Sequence, residues 1–200
     1  QECQLVSLTH RHKKITWKST LEHRYSVLNV VRGQERRVGG GSYCNSREAE
    51  YAAKLCVWFL GKSDDDDNDD GLSETRKRKR EDSTTHHPRI SVITFYSAQV
   101  RAIQQRLSSL HASKNVRVST VDSFQGSESD VVILSCVRSN TRNVVGFVSE
   151  FRRLNVALTR AKLGLVVLCH ARTLENGPSK DLRMLVRDAR KRNLLIDITS

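Results

Sequence analysis

The chain has 200 residues, of which 38% are hydrophobic and 28% charged, and its formal net charge is +12 at pH 7. This length suits one domain with a sizeable core, and no apolar run approaches the roughly 18 residues that span a bilayer. The basic excess favours a polyanionic partner, most simply nucleic acid, although solubility alone stays open.

The five cysteines form no Cys-x-x-Cys pair, so no metal site is expected. Unpaired, widely spaced cysteines are typical of a reducing, intracellular compartment. Met184 is the only methionine, and we therefore expect the chain to be a piece of a longer protein.

Residues 1–24 are predicted to be a peripheral segment and residues 25–175 the main domain. Residues 62–87 carry six Lys or Arg against nine Asp or Glu, which leaves +15 on the rest of the chain. Because Leu72 is the one apolar side chain among these charge blocks, we predict a disordered insertion. Its pentad Arg76–Arg80 resembles a nuclear-localisation signal, so a nuclear location is expected, although such runs are often simply solvated.

Strands and helices alternate along the main domain. Apolar, β-branched runs predict strands at Tyr25–Val31, Arg89–Phe95, Val116–Thr120, Asp130–Val137 and Leu163–Cys169. Apolar spacing predicts helices that begin after caps at Asn45 and Ser97, a helix over Phe151–Ala161, and a C-terminal helix within 176–200.

Apolar strands separated by helices predict an α/β fold, with a mostly parallel sheet and helices on both faces. About nine residues separate the strands that flank Gln125 and Gly126, which is short for a parallel crossover. The direction of that pair stays open.

The tripeptide Gly61-Lys62-Ser63 is not a phosphate-binding P-loop. That motif needs a glycine five residues before the Gly-Lys pair, where this chain has Cys56 inside a predicted helix. An aspartate run follows and would repel phosphate.

The turn Gln125-Gly126-Ser127-Glu128 is expected at the carboxyl end of a strand, where open α/β sheets bind ligands. Gly126 would let the backbone approach another group closely. Glu128 could accept a hydrogen bond from a ribose hydroxyl or hold a metal-bound water. A surface turn without function is the competing interpretation.

Three arginines follow, at 152, 153 and 160. Arg153 and Arg160 are seven residues apart and would share one face of a continuous helix. An arginine at such a position can stabilise charge on a transferred phosphoryl group, whereas a structural salt bridge remains plausible for at least one of the three.

Five segments, in order, resemble sequence elements of superfamily 1B helicases, the group that contains senataxin and the nonsense-mediated-decay helicase. They are Gly33-x-Glu35, Ser42–Ala49, Ile93–Gln99 (motif IV), Ser119–Asn140 (motif V) and Val145–Lys162 (motif VI). The resemblance covers about residues 25–175, and Phe95 replaces the usual proline of motif IV.

This resemblance implies the second, C-terminal RecA-like lobe, with a P-loop NTPase-like fold, of an ATP-dependent helicase. Arg160 would be the catalytic arginine finger, and Gly126, Glu128 and Arg160 would contact the nucleotide. Residues implied near single-stranded RNA or DNA are Thr94, Tyr96, Thr120 and Gln125.

ATP and Mg²⁺ would be bound mainly by a first RecA-like lobe of the same protein, so residues 1–200 alone are not expected to be active. The alternative is a catalytically inactive paralogue that acts as a nucleic-acid-binding or scaffold module.

Overall fold

The computed structural model describes residues 9–10, 13–14, 24–61 and 88–199. Its strands are β1 Thr9–His10, β2 Lys13–Lys14, β3 Tyr25–Val30, β4 Glu35–Val38, β5 Ser42–Asn45, β6 Ile90–Thr94, β7 Val116–Thr120, β8 Ser129–Ser135, β9 Ala161–Cys169 and β10 Leu195–Ile198. Its α-helices are α1 Ser46–Gly61, α2 Ser97–Ser109, α3 Phe151–Leu158, α4 Ala171–Glu175 and α5 Lys180–Lys191.

Six strands form one sheet in the order β10-β3-β9-β8-β6-β7, and each neighbouring pair is parallel. Two antiparallel pairs, β1 with β2 and β4 with β5, accompany it. These pairings confirm the predicted α/β fold with a mostly parallel sheet. The strands are hydrophobic throughout because a parallel sheet is covered on both sides.

Apolar side chains cover both faces of the sheet. Helices α1 and α2 pack on one face, through residues such as Ala52 and Ile103. Helices α3, α4 and α5 pack on the other, through Leu154, Leu174 and Val186. The sheet is therefore the middle layer of three. The side where its strands begin is called the amino edge, and the side where they end is called the carboxyl edge. These two edges remain for binding.

The short link from β7 to β8 answers the question of direction. Both strands pair parallel with β6, which lies between them. Residues 121–128 therefore run from the carboxyl edge of the sheet back to its amino edge. The Val121 N–H donates to the Thr94 carbonyl at the start of this link, and Phe124 is buried in the core midway.

Two local predictions were wrong. Ser97 is the first residue of α2 rather than its cap; the Ser42 hydroxyl, from β5, accepts the Ala98 N–H instead at 3.1 Å. Helix α3 ends at Leu158 rather than at Ala161, and the Thr159 hydroxyl bonds back to the preceding turn.

The C-terminal helix predicted within 176–200 is present, and a strand that was not predicted follows it. Residues 176–200 contain α5 and also β10, which pairs with β3 as an edge strand of the main sheet. The run Leu195–Ile198 is too short for its apolar pattern to distinguish a strand from a fraying helix end.

The predicted charged insertion 62–87, with its basic pentad, and most of the segment 1–24 lie outside the described residues.

Candidate nucleotide site and the opposite sheet edge

Arg160 lies in the link between α3 and β9, at the amino edge of the sheet. Its backbone carbonyl accepts a hydrogen bond at 3.1 Å from the N–H of Ser129, the first residue of β8. Its guanidinium donates to the Val156 carbonyl at 3.2 Å and to the Thr159 hydroxyl at 3.0 Å. No carboxylate of the described residues forms an ion pair with Arg160. Neutral acceptors therefore orient the side chain, and its charge stays available for an anion.

Arg153 has a different environment. Its guanidinium pairs with Asp122 at 2.9 Å and with Glu150 at 3.2 Å. The prediction that Arg153 and Arg160 share a helix face was wrong, because α3 ends before Arg160. Arg153 thus fits the salt-bridge interpretation that the sequence left open.

Glu128 immediately precedes β8 and is next to Ser129, whose N–H binds the Arg160 carbonyl. Its carboxylate pairs at 3.3 Å with Nζ of Lys162, and both side chains are about half exposed. The amino edge of β8 and β9 thus brings together a carboxylate, an ammonium group and a guanidinium. Such a set can bind the hydroxyls and phosphates of a nucleotide.

Gly126 lies on the same crossing segment, with φ of +78°, and no atom lies within 4 Å of an added Cβ. The left-handed backbone, rather than a close contact within the described chain, is what requires glycine here. The expected position of this turn was wrong: Gly126 and Glu128 lie towards the amino edge, because the link crosses the sheet before β8 begins.

The residues expected near nucleic acid lie mostly at the opposite, carboxyl edge. Thr94 ends β6 and is buried, and its hydroxyl has no hydrogen-bond partner among the described residues. Tyr96 is also buried, and its hydroxyl accepts a hydrogen bond from Arg138 at 3.3 Å. Thr120 ends β7, partly exposed, and donates to the Ser123 hydroxyl at 2.9 Å. Gln125 is exposed on the link between the two edges.

A buried ion pair at the carboxyl edge was not predicted. Glu35 accepts hydrogen bonds from Nε and Nη2 of Arg138, at 2.9 and 3.1 Å, and from the Ser139 N–H and the Asn140 amide, at 2.8 and 2.9 Å. The two charged side chains are 14% and 6% exposed. Burial raises the pKa of Glu35, but the hydrogen bonds from Arg138 and Asn140 outweigh it, and the net pKa is lower than usual.

Aromatic rings and a glycine enclose this pair. The Arg138 guanidinium lies 4.3 Å from the centre of the Tyr43 ring, which itself meets Tyr96 edge to face. Gly146 has φ of +56°, and a Cβ there would lie 2.5 Å from Nη1 of Arg138. The Gly33-x-Glu35 resemblance marked the segment, but no periodicity in the sequence indicates that Glu35 is buried.

A second buried network joins α1 to β8. The Glu48 carboxylate accepts hydrogen bonds from the Ser135 hydroxyl at 2.7 Å and from the Val137 N–H at 2.8 Å. The Asn45 amide donates to the Val137 carbonyl at 3.2 Å, and its Oδ1 accepts the Glu48 N–H, as the predicted cap requires. Gln99 links the Asn45 backbone to Ser135.

This network holds a strained turn. Val137 has φ of +71°, and the Arg138 N–H donates to the Cys136 carbonyl at 2.7 Å, which is the pattern of a γ-turn with positive φ. Such a conformation costs about 1–3 kcal/mol, more for a β-branched residue. Because Glu48 and Asn45 bind both peptide groups of Val137, they direct the next side chain, Arg138, towards Glu35.

We predict that Glu48 makes stability depend on pH. Burial raises its pKa from 4.5 to about 7, despite the hydrogen bonds from Ser135 and Val137. Since the folded state holds the proton more tightly than the unfolded state, this contribution is most favourable below pH 4.5 and falls by about 3 kcal/mol as the pH rises through 7. In urea denaturation, the free energy of unfolding of Glu48→Gln should therefore fall less than that of wild type as the pH rises. Parallel curves of wild type and variant from pH 5 to pH 8 would contradict it.

In the described part of the chain, no three His, Cys, Asp or Glu side chains group closely enough to hold a metal ion. Within the same residues, no helix is both long and apolar enough to cross a membrane.

The six-stranded parallel sheet, covered by helices on both faces, is an α/β fold of the RecA-like class. The comparisons agree: the family described as "AAA domain" matches residues 2–172, and the chain belongs to that family. Its relatives place it among superfamily 1 helicases.

Three relatives illustrate the likeness. The chain is 32% identical to regulator of nonsense transcripts 1 from Dictyostelium discoideum, over 98% of this chain and 14% of the relative. It is 32% identical to helicase SEN1 from Saccharomyces cerevisiae, over 86% and 7%. It is 35% identical to probable helicase senataxin from Homo sapiens, over 86% and 6%. The chain thus spans only a small part of the length of these relatives.

Proposed function

We propose that this chain is the second RecA-like lobe of an ATP-dependent helicase that moves along single-stranded RNA or DNA. The observation that carries the proposal is Arg160, which lies beside Glu128 and Lys162 with no carboxylate partner among the described residues. A first RecA-like lobe of the same protein would bring the nucleotide to this edge.

In this proposal, ATP binds between the lobes and the Arg160 guanidinium approaches its γ-phosphate. A guanidinium there stabilises the charge that develops on the phosphoryl oxygens during transfer. Glu128 accepts a hydrogen bond from a ribose hydroxyl, and Gly126 gives the preceding link its left-handed turn. Lys162 holds Glu128 in place and adds positive charge. Hydrolysis removes the γ-phosphate, so the lobes separate and the protein steps along the strand.

ATP hydrolysis of this kind uses Mg²⁺, which neutralises charge on the phosphates. At the edge beside Arg160, the described residues offer Glu128, which is already paired with Lys162. One paired carboxylate is a poor match for the octahedral oxygen ligands that Mg²⁺ prefers. We therefore assign the metal ion mainly to the first lobe.

The carboxyl edge is proposed as the nucleic-acid track. Thr120 is partly exposed there and can contact a sugar or phosphate. Thr94 and Tyr96 are buried beneath this edge and would shape it from below. Gln125, exposed on the crossing link, would contact the strand from the side.

The function is tested by ATP turnover of the complete protein, measured without nucleic acid and with single-stranded RNA or DNA. We expect single strands to raise turnover and their affinity to fall with increasing salt, because phosphate contacts release counterions. Strand binding without turnover in any mixture would contradict the helicase and support the inactive binding module. Affinity that does not change with salt would contradict the phosphate contacts.

We also propose an intracellular and specifically nuclear location, on the basic pentad Arg76–Arg80.

A further inference from the structure

Phe147 is an aromatic side chain that the fold leaves exposed. It lies in a 3₁₀ turn, Gly146–Ser149, before α3, and is 50% exposed. Its neighbour Val148 is buried and anchors the turn in the core. The ring of Phe147 is therefore not needed to fill the interior, although exposing its apolar surface to water is unfavourable.

The ring nevertheless has fixed supports. Its centre lies 6.0 Å from that of the buried Tyr96 ring, and the Arg153 guanidinium lies 5.3 Å from it. Arg153 is itself held by Asp122 and Glu150. A flat apolar ring that is already ordered loses little conformational entropy when a ligand stacks on it.

The position also connects Phe147 to the proposed track. Asp122, the partner of Arg153, follows the end of β7 by two residues. Tyr96 follows the end of β6 by two residues. The ring thus lies towards the carboxyl edge, with the Arg153 guanidinium over one face, and the chain carries a net positive charge.

We propose that the exposed face of Phe147 is a stacking platform for one base of a single-stranded nucleic acid, with Arg153 over the opposite face of the ring. This inference rests on the proposed function and adds a specific contact to it. Stacking recognises the flat face that all bases share, so it supplies affinity without sequence preference. It also gives the strand a fixed register between steps, which phosphate contacts to flexible side chains do not provide.

The test uses the complete protein and a fluorescent oligouridine of about ten nucleotides, a length within the usual range of single-strand sites. Phe147→Ala should weaken binding by roughly 5- to 100-fold. Phe147→Trp should bind as well as wild type or better, whereas Phe147→Leu should be as weak as alanine, because it keeps apolar volume without an aromatic face. Thermal denaturation midpoints would show that each variant folds.

Two controls make the result specific. Met184→Ala removes another apolar side chain, 57% exposed on α5, and should leave affinity unchanged. Replacing single nucleotides of the probe with abasic ones should weaken wild-type binding at one position but not affect Phe147→Ala further. The slope of affinity against salt concentration should be equal in wild type and Phe147→Ala, since the substitution removes no phosphate contact.

One outcome is that wild-type binding depends on salt and that Phe147→Ala binds within about twofold of wild type. That outcome would overturn the stacking contact alone and assign the exposed ring to a protein partner. Wild-type protein that binds neither RNA nor DNA would overturn the proposed function and the stacking contact together.

Discussion

Arg160→Ala in the complete protein is expected to lower kcat for ATP hydrolysis by about 10³- to 10⁵-fold, the usual effect of losing an arginine finger. The guanidinium is held at the edge by the Val156 carbonyl and the Thr159 hydroxyl, so it is already oriented before the nucleotide arrives. ATP binding should weaken much less than turnover, because the interaction strengthens in the transition state. Steady-state turnover and nucleotide affinity, measured together, separate the two effects.

Two variants control this prediction. Arg160→Lys keeps the charge but loses the planar fork, and should recover only part of the rate. Arg152→Ala removes an exposed arginine of the same motif from α3 and should stay within about threefold of wild type. Turnover of Arg160→Ala within about threefold of wild type would contradict the finger, whatever the other variants do.

Much of the fold follows from apolar patterning. Near-continuous apolar runs such as that of β8 are typical of parallel strands, and the helices between them follow from their buried stripes. Strand order does not follow from the pattern: β6 separates β7 from β8, although only eight residues, 121–128, connect them. The link is possible because Phe124 is buried and anchors it across one face.

This crossing also explains what the sequence could not predict about the site. The motif from Thr120 to Glu128 is continuous in sequence, so one local turn was the natural expectation. In the fold its two ends lie at opposite edges of the sheet, Thr120 at the carboxyl edge and Glu128 at the amino edge. One segment therefore links the proposed nucleic-acid track to the proposed nucleotide site.

Buried charges were beyond sequence patterning for a different reason. Glu35 and Glu48 lie in segments that resemble helicase sequence elements, but a carboxylate in a sequence is far more often solvated than buried. Burial of these carboxylates is possible only because they have partners: Arg138 binds Glu35, and the end of β8 binds Glu48. These partners lie about ninety residues or more away in sequence.

Glu35→Ala is expected to reduce the free energy of unfolding by about 3–5 kcal/mol, because it leaves the buried Arg138 guanidinium without its carboxylate. The Ser139 N–H and the Asn140 amide would lose an acceptor as well. Since a domain is typically stable by about 5–15 kcal/mol, the loss should be evident in urea denaturation and in the thermal midpoint.

Glu50→Ala is the matched control. The short distance within its ion pair predicts a large loss of stability, whereas the exposure of that pair predicts a small one. Glu50 pairs with Lys54 at 2.7 Å, closer than Glu35 lies to Arg138, yet both members are nearly half exposed. Solvent screens such a pair, and its removal should cost only about 0.5 kcal/mol. Equal losses in the two variants would contradict the claim that burial determines the effect.

A double variant distinguishes an unpaired charge from lost packing. Glu35→Ala combined with Arg138→Met removes both charges, including the guanidinium over Tyr43, and keeps much of the volume of the arginine stem. If the cost of Glu35→Ala comes from the buried guanidinium, the double variant should be more stable than the single one. If it is less stable, the loss comes from the packing around Tyr43 and Tyr96 instead. The charge then contributes little, and the order of the carboxyl edge depends on the aromatic rings.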